Sequence, residues 1–346
     1  MNLSEFKNIK IVPILESLTV LDISDEEYFS SEYKKYISNS SLSLINPEQG
    51  GSPQMYYEGL SAHQKYMDSM VFGSAVHQLV LQPNDFTLIE SVDRPTAKAG
   101  FMADELYSNF IKFGIVTVDD IIKASDKIDY YKGKMDDKKI EALREKFEPY
   151  HNQRKTYESS SLFKLDSKEP IYLDPKSRFK LKECLKSVNK NSDIQELLHP
   201  KGLVIDPESS NEVCILLDVK AIYPDGKERI LSLKAKIDNF TFDSEANIVT
   251  LNDLKTTGHD ISEFKNSFFK YHYYRQMAMY GWMLFLLLGI KEKITMKSNM
   301  LLVSTIPPYN SGVFKVTDVS IRQGMEEFSE LLKRVAFHEE YGYDIT

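Results

Sequence analysis

Beyond residue 200, apolar and polar positions alternate as they do in half-buried strands. Residues 203–205, 212–219, 229–240 and 248–255 carry this pattern. Asp206-Pro207, Pro224-Asp225-Gly226 and the polar run 243–247 separate them as turns. The spacing predicts an antiparallel meander. A long helix over about 260–288 follows, then strands over 296–304 and 313–316 parted by Pro307-Pro308, then an amphipathic helix over 321–341. Earlier in the chain the period is helical. Over 61–81, Met67, Met70, Val71, Ala75, Leu79 and Val80 recur at helical spacing and Pro83 stops the helix. Residues 103–113, 118–131 and 136–150 are amphipathic, and 176–198 forms a basic helix. The Ser/Asn cluster before Leu42 signals a helix start that Pro47 and Gly50-Gly51 end. Residues 1–35 show no clear period. The order of elements predicts α/β with a mixed sheet. No glycine-rich phosphate loop is present, so the pattern is not that of a Rossmann domain. The organisation read from it is an N-terminal segment over 1–60 and a single domain over 61–346, with a helical part over 61–200 and a sheet-and-helix part over 201–346.

With 346 residues, 42% of them hydrophobic and 27% charged, the chain can bury a sizeable core and has the composition of a soluble globular protein. The net charge of -8 argues against coating nucleic acid by bulk charge, yet leaves room for a local basic groove. Lys132, Lys134, Lys138 and Lys139 interleave with Asp136 and Asp137, which reads as a solvated surface. Lys176, Arg178, Lys180, Lys182, Lys186 and Lys190 are a stronger place for phosphate contact, evenly balanced against a solvated face. Cys184 and Cys214 lack metal-ligand spacing; they read as buried thiols in a reducing compartment and are too few for an iron–sulfur cluster. Residues 1–15 lack the features of a signal peptide. The most apolar stretch, 277–290, is about 14 residues, short of the ~20 that span a bilayer. The expected location is the cytoplasm, with no membrane contact.

The chemistry concentrates around 234–257. Asp253 and Lys255 flank Leu254 on a predicted strand, so they share one face while Leu254 points into the core. Asp238 ends the preceding strand and joins that face if the two strands pair. Two carboxylates and an ammonium on one patch of sheet suit a divalent cation acting on a phosphodiester, although Asp-x-Lys on a strand is by itself commonplace. Three further signals keep it company. Glu212 starts an earlier strand. Gln276 and Tyr280, four residues apart, share a helix face with His272 one turn before. His77 follows Gly73 by one turn of an apolar helix; alone, such a histidine is more often a satisfied core residue than a ligand. Mg²⁺ takes oxygen ligands and retains waters, and a histidine in the set is compatible with Mg²⁺ or Mn²⁺.

In this order the residues resemble the PD-(D/E)XK nuclease superfamily, and more closely its RecB-type and RecE-like (exodeoxyribonuclease VIII) branch. The matching segments are Phe72-Gly73-Ser74-Ala75-Val76-His77 with Leu81-Gln82-Pro83, then Arg94-Pro95-Thr96-Ala97-Lys98-Ala99-Gly100, Glu212, Lys236-Ile237-Asp238, Asp253-Leu254-Lys255-Thr256-Thr257, and Tyr274-Arg275-Gln276 with Tyr280. The resemblance covers about 36–290. It implies a restriction-endonuclease-like core, a mixed central sheet flanked by helices, with an N-terminal helical region added. It implies that His77, Asp238, Asp253 and the Leu254 carbonyl bind metal, two Mg²⁺ or Mn²⁺ ions in all. Lys255 would position or activate water and stabilise the phosphate. Gln276 and Tyr280 would hold the DNA backbone or the lysine, and Glu212 would be an auxiliary acid near the second ion. Two features depart from the pattern. Lys236-Ile237-Asp238 stands where Arg-Pro-Asp is usual, and the region over 125–170 is longer than typical. The implied activity is that of a 5′→3′ exonuclease on double-stranded DNA ends, making single-stranded tails for recombination or repair. A single-strand annealing protein as partner, a homo-oligomeric ring, and a bacterial or phage-infected cell belong to the same implication. Two other classes stay open: a non-catalytic DNA-end-binding protein with a retained nuclease fold, and a cluster-free single-strand nuclease.

Overall fold

In a computed structural model, which describes residues 3–61, 67–131, 135–161, 163, 168–200, 210–289 and 294–343, the chain begins with an edge strand. Strand β1 (Lys10–Leu21) leads to helices α1 (Asp25–Tyr28), α2 (Ser31–Lys34), α3 (Asn39–Ile45), α4 (Pro53–Ser61) and α5 (Asp68–Leu81). Then come β2 (Phe86–Leu88), α6 (Ala97–Phe113), α7 (Val118–Ile128), α8 (Asp137–Glu158), β3 (Glu169–Ile171), α9 (Pro175–Lys190) and α10 (Ser192–Leu198). The meander is β4 (Asn211–Ile222), β5 (Glu228–Asp243) and β6 (Ile248–Thr257). After it follow α11 (Phe264–Lys270), α12 (Tyr273–Leu287), β7 (Thr295–Ser304), β8 (Ser311–Val316) and α13 (Asp318–Tyr341). The expected strand over 203–205, with Asp206-Pro207, lies outside the described residues, as do Lys132 and Lys134. By contact the chain divides into two compact units. One comprises residues 1–63, 189–304 and 310–346; the other comprises 64–188 and 305–309.

The first unit is built on a six-stranded mixed sheet in the order β1-β4-β5-β6-β7-β8. β4, β5 and β6 pair antiparallel through the two tight turns; β6 and β7 run parallel because α11 and α12 carry the chain back across the sheet. The core includes Ile215, Leu217, Leu233, Leu251 and Met300 from the strands, with Met277, Met283, Leu284, Leu331 and Val335 from α12 and α13. Gly324 is required where these two helices touch, since a Cβ there would fall on the Tyr274 carbonyl.

Three features depart from the hydrophobic pattern. β1 lies within the stretch without a period: Ile11 and Leu18 half-bury against the core, but the register break between Ile14 and Thr19 puts them out of step; its Pro13 is tolerated on an edge strand. The expected helix over 176–198 ends at Lys190, where Asn191 caps α10 by accepting from the Asp193 and Ile194 amides at 3.1 Å each. The expected helix over 260–288 is cut at His272, whose φ is +53°.

The second unit is mostly helical, with β2 and β3 paired in parallel. Its core gathers Met102, Leu106, Ile121, Ile140 and Phe147 from α6, α7 and α8. Within it, Tyr150 donates to Asp104 at 2.6 Å and Arg94 to the same carboxylate at 2.8 Å. A cavity of about 320 Å³ opens beside Leu106, Phe110, Ile115 and Phe147, and none of the candidate metal or catalytic residues lines it. No helix among the described residues is long and apolar enough to cross a membrane.

Candidate metal centre

The β5–β6 hairpin builds the centre. Its register sets Asn239 opposite Asn252, so Asp238 and Asp253 face each other one step beyond. Asp238 Oδ2 accepts from the Leu254 amide at 2.7 Å, which pins that carboxylate to the neighbouring strand. Leu254 is fully buried on the opposite side of β6. Asp253 is buried, and its Oδ2 lies 2.6 Å from Lys255 Nζ. The ammonium and Oδ2 form a close, largely buried ion pair. Burial works against the Lys255 ammonium, but Asp253 and Asp238 outweigh it and hold its pKa above the ordinary lysine value.

A third carboxylate comes from β4. Oxygens of Glu212 and Asp238 lie within 4.8 Å of each other. Glu212 has φ +54°, a left-handed conformation that a residue with a Cβ enters at a cost of ~1–2 kcal/mol. Its carboxylate lies 2.7 Å from Lys236 Nζ, and Lys236 also pairs with Asp25 at the start of α1. Burial again opposes the charge on Lys236, and Glu212 with Asp25 prevail, raising its pKa. The lysine that stands in place of an arginine in the expected pattern is thus engaged in holding Glu212.

Helix α12 supplies the third wall. Gln276 Nε2 donates to Asp253 Oδ1 at 2.6 Å, and Gln276 in turn bonds the Tyr280 hydroxyl. Burial, then the charges of Tyr28, Asp253 and Asp238, push the Tyr280 pKa far up, so the phenol is a neutral donor. Gln276 therefore serves the aspartate rather than Lys255. His272 does not extend this face; from its left-handed position its Nδ1 turns to Glu327 at 2.8 Å and to the Tyr274 hydroxyl at 2.7 Å. The first unit thereby brings together Asp238, Asp253, Lys255, Gln276, Tyr280 and Glu212. His77 belongs to the second unit, half-buried on α5.

The oxygen-rich donor set, with the carboxylates of Asp238 and Asp253 buried and Glu212 close to Asp238, fits a hard divalent cation. Behind the hairpin, Asn211, Asn239, Asn252 and Asn299 form a side-chain ladder across four strands at 2.7, 2.7 and 3.0 Å. No sequence period announced this ladder, although asparagine at adjoining register positions was its only available signal. The basic helix is largely committed elsewhere: Arg178 bonds the Val92 carbonyl at 2.7 Å and pairs with Asp93, and Lys182 pairs with Glu90 at 2.7 Å.

Neither a protein-family model nor a curated protein matches the sequence. Among solved structures, the fold is similar to that of a protein from Eubacterium rectale described as a "putative exonuclease", with a TM-score of 0.50 and 10% identity over 93% of this chain and 88% of that one. At that identity the likeness concerns the fold. The chain has the expected mixed α/β architecture, a six-stranded mixed sheet flanked by helices.

Proposed function

We propose that the chain is a Mg²⁺- or Mn²⁺-dependent deoxyribonuclease of RecE-like type, an exonuclease that runs 5′→3′ from double-stranded DNA ends and leaves single-stranded tails for recombination or repair. The observation that carries this reading is the β5–β6 hairpin, where the buried carboxylates of Asp238 and Asp253 lie beside Lys255. Polarity, duplex preference, a ring-shaped oligomer, an annealing partner and the cytoplasm of a bacterial or phage-infected cell enter from the resemblance alone.

In this reading Asp238, Asp253 and the Leu254 carbonyl hold the metal, His77 joins them from α5, and Glu212 serves a second ion. When bound, the cations supply Lewis-acid polarisation of the phosphate and an acidified water. Gln276 turns Asp253 by occupying Oδ1, leaving Oδ2 for ligation, and Tyr280 holds Gln276 in turn. Lys255 keeps its proton at neutral pH because two carboxylates face it, so it acts as a fixed cation on the developing phosphate charge and not as a base.

The test is a digestion time course with the full chain on closed circular, linear, 5′-labelled and 3′-labelled duplexes, with and without Mg²⁺. Nucleotide release from linear duplex only, starting at the 5′ label, dependent on metal and lost in Lys255→Met, is the expected result. Cutting of closed circles would overturn the exonuclease assignment. Binding to ends with no release at any metal concentration would leave an end-binding protein instead.

A further inference from the structure

We infer that Tyr271, flanked by Lys270, is a stacking seat for one unpaired nucleobase next to the metal centre; this rests on the nuclease reading above. The seat is made by the break between α11 and α12. In an unbroken helix, residues 271 and 273 would point to different sides. The left-handed His272 folds the chain so that the Tyr271 and Tyr273 rings meet, with centroids 5.8 Å apart. That conformation is held from outside, by the contacts of His272 with Glu327 and Tyr274. Strained backbone kept by surrounding structure is a mark of functional sites.

Tyr273 connects the seat to the centre. Its ring lies 5.5 Å from Lys255 Nζ and stacks on Phe264 at 5.8 Å with planes 8° apart. Asp253, Lys255, Tyr273 and Tyr271 therefore form a continuous line from the buried carboxylate to solvent. Phe264, Phe268 and Tyr274 in this aromatic cluster are buried, whereas Tyr271 is 49% exposed and Phe269 42%. Lys270 Nζ lies 5.4 Å from the Tyr271 ring, and neither Lys270 nor Lys265 pairs with a carboxylate among the described residues. An open ring bordered by unneutralised ammonium groups matches a base with its phosphate. Within a duplex, neighbours cover both faces of each base, so the occupant is a base at a frayed end or in a single-stranded overhang. Stacking of this kind tolerates any base, because each has a π-face.

The experiment places 2-aminopurine in a short overhang on linear duplex and follows its fluorescence with the full chain in Ca²⁺, alongside nucleotide release in Mg²⁺. Wild type and Tyr271→Phe should quench the probe. Tyr271→Ala should lose the quenching, bind the overhung end about tenfold more weakly or worse, and leave blunt-end binding much less affected. An unchanged melting temperature would show that the variant folds. Quenching and overhang affinity equal to wild type in Tyr271→Ala, while wild type releases nucleotides, would overturn the seat and spare the nuclease. A wild-type chain that neither binds nor degrades DNA would overturn both.

Discussion

Two carboxylate clusters, each with buried members, occupy the same sheet-bearing unit, and each contains groups close enough to share a cation. In one, ligand atoms of Glu48, His272 and Glu327 lie within 4.8 Å of one another. In the other, Asp238 and Glu212 approach equally closely beside Asp253. They differ in how their lone pairs are used. Glu327 accepts from Arg275 at 2.7 Å, Asn46 at 2.9 Å and His272 at 2.8 Å. Arg275, fully buried, spends its remaining donors on Gln49, Asn39 and Ser43. A guanidinium already supplies the positive charge there, and the network ties α3 to α12 and α13. Asp253, by contrast, accepts from one amide and pairs with one ammonium, and Lys255 faces Asp238 as well. A single ammonium facing both aspartates leaves negative charge for a divalent ion to balance, whereas the guanidinium-centred network is complete in itself.

Replacing Arg275 with Met gives the sharpest test of that contrast. It strands the buried Glu327 charge and several acceptors, and should cost about 3–5 kcal/mol in urea unfolding. A cost below 1 kcal/mol would show that the closed network is no clamp. Asp253→Asn should act in the opposite way, leaving the fold standing while nucleotide release falls by about 10³-fold or more, a change of about 4 kcal/mol in barrier height.

Buried cations extend the comparison. Arg275 is fully bonded, whereas Lys234 donates to the Tyr28 carbonyl at 2.7 Å and lies over the Tyr28 and Phe29 rings. Burial lowers the Lys234 pKa to about 8 despite nearby Cys214. The unfolded lysine titrates near 10.5, so the folded form releases its proton first and stability from this group rises as pH climbs from about 8 to 10.5. The advantage of wild type over Lys234→Met, followed by urea unfolding across that window, should grow by up to about 3 kcal/mol. A flat difference would mean that Lys234 stays charged when folded. The smallest effect is ligation itself: excess Mg²⁺ should stabilise wild type by about 1–3 kcal/mol in thermal unfolding. Glu48→Gln should preserve that gain and Asp253→Asn should abolish it; the reverse pattern would assign the cation to the Glu327 cluster.

Legibility followed burial. Strands β4 to β8 and the terminal helix α13 stand close to their expected places because each has a face in the core, and burial imposes a period. β1 shows no period because a register break puts its half-buried Ile11 and Leu18 out of step. The breaks at Asn191 and His272 went unseen because each depends on a few contacts and not on a repeat. At the centre, alternation sufficed to put Asp253 and Lys255 on one face, and turn signals to bring Asp238 opposite. The partnership of Lys236 with Glu212 and Asp25 was not legible, since it joins β5 to a helix some 200 residues earlier in the chain.

Local chemistry alone therefore determined which residues share a strand face and which strands are hairpin neighbours, because period two and turn residues act over a few positions. Tertiary structure decided what each polar group does. Gln276 orients Asp253, Lys236 clamps Glu212, and His272 leaves its helical face for Glu327 because a buried polar atom must find whatever partner the packed chain brings within about 3 Å.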